Sequence, residues 1–292
     1  MTYPGETARE SRTTASSVAY TAVTVSIGGD EARIHIPNDR LDVAPVNGNL
    51  CIVMHGHNGA ATIIDGNVAS TRDELIDLGY VVASAYAAGN AWANNAAQNA
   101  YLALHDFCRD YVVTPQHVVL HGSSMGGLTA AVMYANDVIP NIRAAAIIDP
   151  AVSLQYAFGK EPYKSAIKTA YGFTNDADYA TATAGHDALL IPGALYSGKR
   201  FQVFASYDDT SIEQEFNADL FISAFTGYAF LDFVQCTGAH VAASHYQPAE
   251  TVPFYQSAIS PVAWVEPVVI PPGMGLVRLY TVLGGVPVPV TG

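Results

Sequence analysis

The sequence predicts an α/β protein built on a mainly parallel sheet with helices on both faces. Short apolar runs at residues 50–54, 80–85, 118–120, 142–148, 200–205 and 228–234 alternate with stretches of helical periodicity. The run at 50–54 is continuous rather than alternating, the pattern of a strand covered on both faces. Between them, residues 116–136 read as a buried strand, a tight turn and an amphipathic helix, and the rest of the chain is organised around that unit.

Taken in order, residues 1–17 are polar, small and aperiodic, which predicts a flexible arm. Two alternating runs, 20–27 and 32–36, flank Gly28-Gly29-Asp30 and predict a hairpin. After the strand at 50–54, residues 60–78 are helical in pattern with Gly79 as a stop, and 91–111 predict a long or broken helix. Residues 151–197 interrupt the rhythm. They are rich in Tyr, Ala, Gly, Thr and Lys and predict an insertion between two sheet strands, either a lid or substrate wall or an ordinary helix with long loops. Helices are expected at 212–225 and 248–258. From Ser260 the composition shifts to Val and Pro; the prolines keep such strands out of a sheet's middle and predict an extended β tail on a sheet edge or another subunit. The expected organisation is an arm at 1–17, a core domain at 18–259 and a tail at 260–292.

Composition narrows the function. Hydrophobic residues make up 50% of the 292 and charged residues only 13%, so most of the chain is expected to fold compactly. A net charge of -13 with no basic cluster argues against nucleic acid and favours a neutral or weakly polar substrate. The N-terminal stretch lacks the pattern of a secretory signal and no run is long enough to span a membrane, so a cytoplasmic or virion-associated protein is expected. Cys51, Cys108 and Cys236 are odd in number, unpatterned and set in apolar runs, as buried thiols are.

The turn in the central unit is Gly122-Ser123-Ser124-Met125-Gly126, a Gly-x-Ser-x-Gly pattern in its proper strand-to-helix setting. Its glycines let strand and helix approach, and Ser124 at the apex takes strained backbone angles. The following helix aims its free N–H groups at the same place, so the Ser124 hydroxyl and the Met125 N–H face one reacting carbonyl.

The order HGHNG, GSSMG, YDDTS and GAH, each after an expected strand, resembles the α/β-hydrolase superfamily over about residues 45–258. That resemblance implies an α/β-hydrolase fold and a serine hydrolase, by analogy a carboxylic-ester hydrolase of the esterase type working without a cofactor. It maps the nucleophile to Ser124, the acid to Asp209 and the base to His240, with Asp149 as rival acid one strand earlier. Asp209 is favoured over Asp208, which is expected to be a turn residue, because Asp209-Thr210-Ser211-Ile212 resembles the family's Asp followed three residues later by an aliphatic residue. His245 is expected in the turn beyond, at the surface. The oxyanion donors are expected to be the N–H groups of His57 and Met125. Asn58 is expected to contact substrate, and Trp92 either to wall an acyl or sugar pocket or to staple a helix start. His55-x-His57 lacks a third ligand of suitable spacing, so no metal is expected. The segment around Trp92 is also similar to Asn-Trp-Gly-Asn stretches in hydrolase-like proteins of actinobacteria and their phages, from which Ala93 departs. The other reading of the chain is a structural or adhesion protein, such as a phage tail component. It would use this core to bind or trim host polymers and assemble through its tail; the partner is otherwise a small or polymer-borne ester.

Overall fold

The computed structural model describes residues 2–260, 280–283 and 286–289. Its strands are β1 Glu6–Thr13, β2 Ala19–Ile27, β3 Asp30–Pro37, β4 Val46–Met54, β5 Val81–Ala85, β6 Val113–Ser123, β7 Ile142–Ile148, β8 Arg200–Ala205 and β9 Phe230–Gln235. They form one sheet in the order β1-β2-β3-β5-β4-β6-β7-β8-β9. Pairing is antiparallel from β1 through β3 to β5, and parallel from β5 to β9. The helices are α1 Ala69–Asp77, α2 Asn95–Tyr111, α3 Met125–Ala135, α4 Leu154–Phe158, α5 Tyr163–Tyr171, α6 Tyr179–Ala182, α7 Ala218–Phe225 and α8 Pro248–Ile259.

The continuous apolar strands have a simple cause, because side chains alternate between two cores. In β4, Leu50, Ile52 and Met54 enter the core under α2 and α3, while Cys51 and Val53 enter the core under α1 and α8. Burying each such aliphatic chain contributes about 1.5–3 kcal/mol relative to leaving it in water. All three cysteines are buried and free, and burial pushes the Cys236 thiol up to about 11.

Some boundaries differ from expectation. Residues 6–13 are no flexible arm: they are the edge strand β1, registered on β2 from Glu6 to Thr13. Charged side chains hide this strand from hydrophobic periodicity yet hold it, through Arg9 to Asp42 at 2.8 Å and Arg33 to Glu10 at 3.3 Å. The helix expected from residue 91 starts at Asn95, because Trp92 and Ala93 take φ values of 48° and 62°, and Asn94 caps it by accepting the Ala97 N–H. The helix expected over 60–78 is a 3-10 turn at Ala61–Asp65 followed by α1. Likewise the helix expected from residue 212 begins at Ala218, after a 3-10 turn at Gln214–Phe216. Within the expected tail, Tyr280–Leu283 and Val286–Pro289 pair antiparallel. Its packing on a sheet edge or another subunit lies outside the described residues. Among the described residues no helix is long and apolar enough to cross a membrane.

Candidate active site

β6 ends at Ser123 and α3 begins at Met125, so Ser124 makes the whole turn, at φ 54° and ψ -119°. A non-glycine residue held there stores about 1–3 kcal/mol of strain, and its neighbours must enforce it. The Ser124 N–H donates to the Ile148 carbonyl at 2.8 Å, and its own carbonyl accepts the Ala151 N–H at 3.1 Å. A Cβ on Gly122 would stand 2.3 Å from the Gly126 carbonyl oxygen, and one on Gly126 only 2.1 Å from that of Met54. Both motif glycines are therefore required by backbone contact.

Three remote segments meet at the Ser124 hydroxyl. His240, in the loop after β9, places Nε2 at 2.9 Å from Ser124 Oγ. Its Nδ1 lies 2.6 Å from Asp209 Oδ2. Asp209 follows β8 and is buried; its Oδ1 accepts the N–H groups of Ser211 at 2.8 Å and Ile212 at 3.0 Å. The residue type three places on, which singled out Asp209 in the sequence, thus belongs to the turn that orients the carboxylate. Asp208 points outward and accepts the Gly238 N–H at 2.9 Å.

Asp149 and His245 take places the sequence did not foresee. Asp149 is not bonded to His240: its Oδ2 receives His245 Nδ1 at 2.6 Å and the Val241 N–H at 2.6 Å. His245, expected at the surface, is fully buried, because its ring packs inside the loop and Nε2 reaches the Thr237 carbonyl at 3.2 Å. A lone histidine in a polar turn carries no sequence signal for this.

On the other side of Ser124 runs the loop His55–Gly59. Gly56 lies so close that a Cβ there would stand 3.3 Å from Ser124 Cβ. Met125 is the first residue of α3, whose N–H has no partner within the helix. The Asn58 N–H donates to Asn90 Oδ1 at 2.6 Å and its side chain accepts from Asn90 Nδ2 at 2.8 Å, so Asn58 ties this loop to the one before α2. His55 turns both ring nitrogens to backbone carbonyls, of Gly56 and Tyr86, rather than toward His57. The His57 ring packs on Trp92 and Tyr163 at 5.7 and 5.4 Å between centroids, and burial holds it below the usual imidazole range.

A cavity of about 240 Å³ opens on Ser124 and His240, walled by His57, Asn58, Tyr163, Val241 and Tyr246. Tyr163, on α5, brings the 151–197 insertion to the cavity, and no sequence motif marks it. Trp92 is fully buried and does not line the cavity; it packs behind His57 and Tyr163.

No protein-family model and no curated protein matches the sequence. Solved structures do. An S-formylglutathione hydrolase from Agrobacterium tumefaciens superposes with a TM-score of 0.66 over 88% of this chain and 100% of its own, at 10% identity. The chain has the α/β-hydrolase fold. An S-formylglutathione hydrolase from Staphylococcus aureus matches at a TM-score of 0.63 and 13% identity, over 82% of this chain and 98% of that one. A thermophilic carboxylesterase cloned from a metagenomic library matches at 0.55 and 17%, over 85% and 87%. In this α/β-hydrolase fold, Asp149, Asp209 and His240 offer donor atoms within 4.8 Å of one another. Both Asp209 oxygens and both His240 nitrogens are held in hydrogen bonds, leaving Asp149 Oδ1 as the unpartnered atom of the group.

Proposed function

We propose that this chain is a serine hydrolase that cleaves small, uncharged carboxylic esters through an acyl-enzyme. One observation carries the reading: the unbroken path of hydrogen bonds from Ser124 Oγ through His240 to Asp209. Ser124 Oγ attacks the ester carbonyl carbon as its proton passes to His240 Nε2, while Asp209 holds Nδ1–H and stabilises the imidazolium. The N–H groups of His57 and Met125 receive the oxyanion, each worth about 3 kcal/mol in such a role. His240 then protonates the departing alkoxide. It next takes a proton from the water that attacks the acyl-serine, releasing the carboxylic acid and restoring Ser124. The cycle needs no cofactor.

The small cavity, with no Lys or Arg among its described lining residues, favours a short uncharged acyl group, free or borne on a polymer. The test is a series of p-nitrophenyl esters from acetate to octanoate. We expect kcat/KM to be highest for the shortest acyl groups and lost in Ser124→Ala. The reading fails if wild type leaves the acetate intact and reacts with a fluorophosphonate no faster than Ser124→Ala.

A further inference from the structure

We propose that Asp149 and His245 are positioning residues, forming a sealed clamp that holds the His240 loop at its working distance from Ser124. This rests on the reading of Ser124 and His240 as nucleophile and base. The loop between β9 and α8 has no regular structure apart from a 3-10 turn at Ala243–His245. It is strained next to the base: Val241 sits at φ 49°, an angle a β-branched residue keeps only under outside constraint. Asp149 supplies that constraint. Its Oδ2 accepts the Val241 N–H at 2.6 Å, while Asn67 Nδ2 donates to the Val241 carbonyl at 3.3 Å. The same Oδ2 takes His245 Nδ1 at 2.6 Å, and His245 Nε2 reaches Thr237 O at 3.2 Å. The carboxylate thereby holds the loop directly after His240, at Val241 and His245, and through His245 before it, at Thr237.

Asp149 is in turn locked to the nucleophile. Ile148 accepts the Ser124 N–H and Ala151 donates to the Ser124 carbonyl, so the turn that holds Ser124 on both flanks also aims Asp149 at the His240 loop. Asp149 itself sits at φ 41°, with its N–H on Phe204 O at 2.8 Å. The distance between hydroxyl and imidazole is therefore set through a single turn.

The pair stands apart from the reacting hydroxyl: the two His245 nitrogens are occupied by the Asp149 carboxylate and the Thr237 carbonyl, and neither faces Ser124 Oγ. Burial raises the Asp149 carboxyl above the usual range, the His245 imidazole opposes that rise, and nearby Asp209 adds to it.

Truncation to Ala would leave both arms unmade and risk unfolding, so the test uses side chains that keep one arm each. Asn can donate from the place of Nδ1 and Gln from that of Nε2. His245→Asn thus keeps the Asp149 arm, and His245→Gln keeps the Thr237 arm. With p-nitrophenyl acetate, each variant is expected to lose about 10- to 100-fold in kcat per fluorophosphonate-titrated site with KM little changed, since a displacement of about 1 Å suffices. Proton NMR gives a second readout that needs no turnover. Wild type is expected to show two downfield imidazole N–H signals, from His240 and His245; the variants lose the second and broaden the first by solvent exchange. Variants that match wild type in kcat per site and in the His240 signal overturn the clamp. If wild type is inert to both ester and fluorophosphonate, the esterase reading falls instead, and the His240 signal alone decides the clamp.

Discussion

Two His–Asp pairs stand side by side at the carboxyl end of the sheet with the same contact, Nδ1 to carboxylate at 2.6 Å. They differ in what meets Nε2. His240 faces the Ser124 hydroxyl, which is able to donate, whereas His245 faces the Thr237 carbonyl, which only accepts. A ring opposite a hydroxyl has a proton within reach of Nε2; a ring opposite a carbonyl has none to take there. Exposure follows the same division, with 17% of the His240 side chain open to solvent and none of His245. On the proposed reading, the same two residue types serve as a base or a brace according to the third partner.

The comparison is broken most severely at that third partner. Ser124→Ala or His240→Ala should cut kcat about a millionfold while leaving the circular dichroism native, measured on p-nitrophenyl acetate. Asp209→Asn should lower kcat about ten-thousandfold, because the amide no longer selects the ring tautomer that leaves Nε2 bare. Asp149→Asn sharpens the contrast: the amide oxygen still has two lone pairs for the Val241 N–H and the His245 ring, but without the carboxylate charge it holds both more weakly, and kcat should fall about 10- to 100-fold. A ten-thousandfold loss there would make Asp149, not Asp209, the orienting acid. The smallest effect belongs to Asp208→Ala, which frees the Gly238 N–H at the exposed edge of the same loop. It should cost about 1 kcal/mol in urea unfolding and leave kcat nearly unchanged.

Legibility followed locality. The elbow could be read because its demands fall on five adjacent residues: two backbone approaches near 2 Å dictate Gly122 and Gly126, and Ser124 is the apex between them. The preference for Asp209 had a local basis too, since its own turn supplies two of its hydrogen-bond donors. β1 was missed because an edge strand with wet faces follows ion pairing rather than apolar alternation. Trp92 was placed in the pocket wall, but strained angles at residues 92 and 93 turn the ring inward behind His57. Tyr163 and His245 carried no signal because their partners lie far away along the chain.

By itself, the sequence determined the elbow, the strands that feed two cores, and the order in which serine, acid and histidine arrive, since each is a property of short stretches of backbone and periodicity. Only the tertiary structure decided which carboxylate serves which imidazole, how the His240 loop is held, and how small the cavity is. Those depend on packing between segments about a hundred residues apart, where a hydrogen bond is selected by distance in space and leaves no trace in spacing along the chain.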